Sequence, residues 1–181
     1  VMAPLSAIAN TDRYPLADES FRSHAHATLA REGALVMESF LRADAVETVR
    51  HEGEEHQHKA YFCVQEHNVY LTPSDPAFSE GHTRNRRVSS SKGCITDDIV
   101  PIESPLRTLY DAKEFRSFLC AVLDEKALYN YADPLSSINI HYAEEGQELG
   151  WHFDNSSFAI TVMIQTPEEG GTFEYVKDVR D

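Results

Sequence analysis

Ile138 to Val176 reads INIHYAEEGQELGWHFDNSSFAITVMIQTPEEGGTFEYV. Ile138, Ile140 and Tyr142 alternate with polar residues, the period of a half-buried strand. Glu144-Glu145-Gly146-Gln147 marks a turn, and Gly150–Asp154, Ala159–Gln165 and Thr172–Val176 are expected to be further strands. Thr166–Gly171 (TPEEGG) makes the last connection. This tract is antiparallel β. Everything before it reads as mostly helical, so the expected fold class is α+β, with the all-β part as the catalytic half.

Within the tract, Trp151-His152-Phe153-Asp154-Asn155 is the most informative run. Side chains two apart on a strand share a face, so His152 and Asp154 can aim an imidazole nitrogen and a carboxylate oxygen at one point. That mixed donor pair suits a divalent transition metal. With a second histidine it would form the two-histidine, one-carboxylate triad of non-haem iron(II) oxygenases, which leaves positions open for a co-substrate and O₂. An isolated His-x-Asp is a weak motif that arises often by chance. Its place beside a Gly-containing turn and an apolar strand strengthens it.

The upstream chain supplies the helices. Phe21, Ala25 and Leu29 form one stripe, and Gly33 is placed to close that helix. Ala34–Met37 reads as a short strand. Asp44 followed by Glu47 has capping-box spacing, starting a helix to about His58. Tyr61–Val64 and Val69–Leu71 read as strands, and Thr72–Lys92 as a long loop of the kind that often carries function. Ser104–Tyr110 and Lys113–Leu123 read as helices, the second with Phe115, Phe118, Leu119 and Val122 on one face.

Composition narrows the function classes. The 181 residues carry 16 basic and 30 acidic side chains, a net charge of −14. That length suits a single domain with its own core. The acid excess argues against nucleic acid or an anionic membrane as partner. No apolar run approaches the ~20 residues of a membrane span. VMAPLSAIAN lacks the charged segment and long apolar core of a signal peptide. Cys63, Cys94 and Cys120 are an odd, scattered set, expected to be reduced thiols in a cytoplasmic protein.

The Ile138–Val176 tract resembles the Fe(II)/2-oxoglutarate oxygenases, in the branch that contains the free-amino-acid halogenases and their hydroxylase relatives. HNVYLTPSDP (His67–Pro76), RNRRVSSSKG (Arg84–Gly93), SPLRTLY (Ser104–Tyr110) and LYNYADPLSSIN (Leu128–Asn139) are similar to the same branch, from about residue 30 onward. The resemblance implies a single oxygenase domain over 1–181 with a double-stranded β-helix (jelly-roll) core and helices outside. It implies Fe(II) held by His152 and Asp154, 2-oxoglutarate and O₂ as co-substrates, and a small-molecule substrate, a free amino acid or an amino-acid-like metabolite. In halogenases of this branch a glycine replaces the metal carboxylate and opens a place for halide. Asp154 fills that place, so hydroxylation is expected. A non-catalytic cupin-like binding protein and a radical halogenase are the alternatives.

The chain has no histidine after His152, whereas in the family a distal histidine ligand and the arginine for 2-oxoglutarate come from later strands. The expectation is that the sequence is a C-terminally truncated or partly ordered version of a longer protein; an upstream histidine as third ligand is the lesser alternative. For the substrate, Arg86 and Arg87 in the basic cluster Arg84-Asn85-Arg86-Arg87 are candidates to hold an α-carboxylate, since a guanidinium fork suits a carboxylate. Asn155 is a candidate to face the substrate, with packing or turn capping as the alternative. His51, His56 and His58 read as a solvated acidic helix face and His24 and His26 point apart; His67 reads as a core histidine, for which the resemblance implies a structural or pocket-lining role. Ser89-Ser90-Ser91 has no nucleophile-elbow context.

Overall fold

The computed structural model describes residues 3–180. Its helical half begins with the short α1 (Leu5–Ile8), followed by α2 (Glu19–Glu32) and α3 (Ala43–His56), which runs into a 3-10 turn at Gln57–Lys59. Two strands, β1 (Tyr61–His67) and β2 (Val88–Ile95), precede α4 (Pro105–Asp111) and α5 (Lys113–Leu123). A three-residue strand, β3 (Ile140–Tyr142), completes a sheet of order β1-β2-β3. Both pairings are antiparallel, with His67 opposite Val88 and Tyr142 opposite Gly93. No helix among the described residues is long and apolar enough to cross a membrane.

The helices sit where their apolar stripes demand. Asp18 caps α2 by accepting from the Phe21 N–H at 2.7 Å, and Gly33 ends it in the left-handed conformation (φ 79°). Phe115, Phe118 and Val122 of α5 are buried; Phe118 stacks on Phe21 of α2 and Phe115 on Phe40, each pair with ring centroids 5.5 Å apart. Burial of each such side chain contributes about 1.5–3 kcal/mol. A second apolar cluster, Ile95, Val100 and Ile138, lies under the sheet. Tyr142 ties β3 to α3 by donating its hydroxyl hydrogen to Gly53 O (2.6 Å), and Ser104, which caps α4, donates to Glu52 of α3 (2.6 Å).

Several expectations are corrected. Ala34–Met37 forms no strand; Leu35 and Met37 instead pack as single side chains against the helical core. The expected capping box does not form. Arg42 is the N-cap residue of α3, Asp44 lies inside the first turn bonding Ala45 N–H, and Glu47 turns to Arg50. Val69–Leu71 is a turn, because the buried Asn68 side chain gathers it by accepting from Tyr70 and Thr72 N–H and donating to Thr72 O. The expected loop ends early, since Val88–Lys92 belongs to β2. The remaining loop is pinned by buried Asn85, whose amide bonds the backbone of Asp75, Phe78 and Ser79.

The largest difference lies in the tract that decides the fold class. The mixed helix and sheet architecture is present, but the sheet is three-stranded. Gly150–Asp154, Ala159–Gln165 and Thr172–Val176 form no strands. A strand exists only where a neighbour accepts its backbone hydrogen bonds. Ile160 and Met163 are exposed, and Val162 alone of that apolar run reaches the helical core.

Candidate functional site

Three short pieces of chain build the surroundings of His152: the turn after β1, the middle of β2, and the segment after β3. Beyond Tyr142 the chain loops out and returns at Glu148, which accepts from Ser91 N–H at 2.7 Å while its own N–H donates to Ser91 Oγ at 3.3 Å. Gly150 N–H then donates to Ser90 Oγ at 2.9 Å. Phe153 N–H donates to Val69 O in the Asn68 turn at 2.7 Å. The segment is thus docked at both ends, by Ser90 and Ser91 at its start and by a backbone hydrogen bond at Phe153.

Close approach explains the residue at position 150. A Cβ there would stand 2.7 Å from Ser89 O and 2.8 Å from Val88 Cγ2, closer than real contacts allow. Only glycine lets the segment lie against β2 at this distance.

His152 and Asp154 do converge. Nε2 of His152 lies 3.3 Å from Oδ1 of Asp154, with side chains 30% and 59% exposed. The reason is not strand alternation, since this segment is not in a ladder. His152 is oriented by its other nitrogen: Nδ1 donates to Gly150 O at 2.7 Å. A carbonyl oxygen only accepts, so Nδ1 carries the hydrogen. In the neutral ring Nε2 is then a bare lone pair facing a carboxylate. Two acceptors at this distance repel unless a cation, a proton or a metal ion, sits between them.

The pair suits a metal ion in donor type and spacing. Two donors about 2.1 Å from one ion and at right angles to each other stand about 3 Å apart. A carbonyl on the far nitrogen is also the ordinary support of a ligating histidine. Among the described residues no group of three or more His, Cys, Asp or Glu side chains is disposed to hold a metal. His67 comes near, its ring edge-on to that of His152 with centroids 5.9 Å apart. Its nitrogens are already engaged, Nδ1 with Asn68 O at 3.0 Å and Nε2 with Ser90 Oγ at 2.6 Å.

The basic loop lies on the same side as Phe153. The Phe153 and Tyr70 rings are 5.2 Å apart, and Arg84 lies over Tyr70 with its guanidinium carbon 4.8 Å from the centroid. Arg84 is committed to Asp75 at 3.1 Å, and Arg87 donates to Glu66 O at 3.1 Å. Arg86 is exposed, and its guanidinium has no hydrogen-bond partner among the described residues. Asn155 is exposed, in the bend that follows Asp154.

Ser90, Gly150 and Asn68 are the residues that sequence reasoning missed. The only signal for them was adjacency: a serine run inside an expected loop, a glycine two before the histidine, and an Asn followed by apolar residues. The remaining histidines stay outside the site. His26 Nδ1 bonds Val122 O and His56 Nδ1 bonds Glu52 O, each within the helical half.

A family model described as Halogenase D matches residues 17–181 of the chain. No curated protein and no solved structure matches it.

Proposed function

The chain belongs to the Halogenase D family, and from that premise we propose that it is an Fe(II)- and 2-oxoglutarate-dependent hydroxylase of a free amino acid or small amino-acid-like metabolite. The observation that carries the reading is the convergence of His152 Nε2 and Asp154 Oδ1 at 3.3 Å, with the opposite imidazole nitrogen tied to Gly150 O. His152 and Asp154 would hold the iron. The three-stranded sheet would form part of the double-stranded β-helix that the family resemblance implies. Bound there with 2-oxoglutarate, iron(II) supplies oxidation of an unactivated C–H bond at the expense of O₂.

The protein's own residues contribute orientation and charge. Gly150 O keeps the Nε2 lone pair aimed at the metal position, and the Asp154 carboxylate brings the negative charge that favours a divalent ion. Arg86, the cluster's uncommitted guanidinium, is the group we assign to the substrate α-carboxylate, with Arg87 beside it and Asn155 next to the metal aspartate.

Hydroxylation rather than halogenation follows from Asp154, since a carboxylate there occupies the position that a halide needs. The family's description favours the second reading, a halogenase. One assay separates them. The protein is incubated with Fe(II), 2-oxoglutarate, O₂ and chloride across free amino acids, and products are read by mass spectrometry. The proposal expects succinate together with a product heavier by one oxygen. A chlorinated product would establish the halogenase reading, and absence of succinate with every amino acid would favour a binding protein without turnover.

A further inference from the structure

We infer that Ser90, backed by His67, is a positioning residue for His152: it holds the Gly150 backbone whose carbonyl aims the His152 ring. The inference rests on reading His152 and Asp154 as metal ligands.

Ser89-Ser90-Ser91 looks like solvated polar strand, but the hydrogen bonds give the middle serine a defined job. Each proton in the chain of contacts has one consistent place. Asn68 O is a pure acceptor, so His67 Nδ1 donates to it at 3.0 Å. His67 Nε2 is then the bare nitrogen and accepts the Ser90 hydroxyl hydrogen at 2.6 Å. With that hydrogen spent, Ser90 Oγ offers its lone pairs to Gly150 N–H at 2.9 Å. Gly150 O in turn accepts from His152 Nδ1 at 2.7 Å. The relay runs from the turn after β1, across β2, into the metal-binding segment, and each contact in it pairs one donor with one acceptor.

His67 does a second job in the same place. Its ring packs edge-on against His152 at 5.9 Å between centroids, so it limits rotation of the ligand ring while locking the serine hydroxyl. Without the hydroxyl, Gly150 N–H loses its acceptor and the peptide that orients His152 is free to turn. Groups that orient a ligating histidine through its far nitrogen govern metal affinity without touching the metal.

Cobalt(II) is the probe, since it takes the same ligand types as ferrous iron and its visible absorption reports coordination geometry. Wild type, Ser90→Ala, Ser90→Thr, His67→Phe and His152→Ala are titrated anaerobically, and each variant is melted thermally as a check on folding. The inference expects Ser90→Ala to weaken cobalt binding about 10–100-fold and to alter the absorption band, with Ser90→Thr restoring both. Were Ser90→Ala unable to fold, His67→Phe reads the same relay one bond further out and should move affinity in the same direction. A folded Ser90→Ala, or failing that His67→Phe, with wild-type affinity and spectrum overturns the inference, whatever its melting temperature. Equal cobalt binding by wild type and His152→Ala instead defeats the metal reading itself, a result distinct from failure of the relay.

Discussion

Gly150 shows how much rests on one missing side chain. His152 faces Asp154 because its Nδ1 is tied to Gly150 O, and Gly150 is where it is because nothing larger than hydrogen fits between it and the Ser89 carbonyl and Val88 side chain. Gly150→Ala should therefore lower stability by about 1–3 kcal/mol through overpacking, measured by denaturant unfolding. It should also weaken metal binding, because the strain is relieved by moving the segment that carries His152. Unchanged stability in Gly150→Ala would mean that the segment does not lie against β2. The His152–Asp154 pairing was legible in the sequence as a spacing of two. Its physical cause was not, because a hydrogen bond from a ring nitrogen to the carbonyl two residues earlier leaves no periodic trace.

Among the elements, α2 to α5 were legible, while the four-residue α1 and part of the sheet were not. The Phe21, Ala25, Leu29 stripe with Gly33 behind it, and the Phe115, Phe118, Val122 stripe, are side-chain patterns that packing enforces. VSSSKGCI carries no apolar alternation across its first five residues, so β2 is held by its backbone ladder to β1 and its side chains work elsewhere. Asn68 turns VYL away from a strand by out-competing the ladder for backbone groups.

The junction between β2, α4 and β3 depends on one carboxylate. Asp97, 15% exposed, accepts from Arg107 Nη1 at 3.0 Å and Ser137 Oγ at 2.7 Å, while Arg107 also donates to the carbonyls of Asp97, Val100 and Pro101. Burial pushes the Asp97 carboxyl up, but the Ser137 and Arg107 hydrogen bonds and the Arg107 charge outweigh it and hold the group below the usual carboxylate range. Its stabilisation is complete above the unfolded value of about 3.9 and fades as pH falls through that value toward the lower folded one. Asp97→Asn should cost about 1–3 kcal/mol at neutral pH, with the gap from wild type closing in acid. A constant gap between pH 7 and pH 2 in thermal melts would contradict this.

For the whole molecule, the mixture of helices and an antiparallel sheet is as the sequence indicates, but their order is not: β1 and β2 precede α4 and α5, and only β3 follows the helices, while the family match over residues 17–181 supports a halogenase-related family. The tract after Gly150 departs from expectation because its apolar alternation has no neighbouring ladder to enter. What joins the parts into one functional account is the position of the HxD segment, docked on β2 by Ser90 and Ser91 and on the Asn68 turn by Phe153. Anaerobic loading with ferrous iron, followed by gel filtration and metal analysis, tests that account most directly. Wild type should retain one equivalent of iron, and His152→Ala and Asp154→Ala, each shown folded by circular dichroism, should retain almost none. Wild-type iron content in either variant would contradict it.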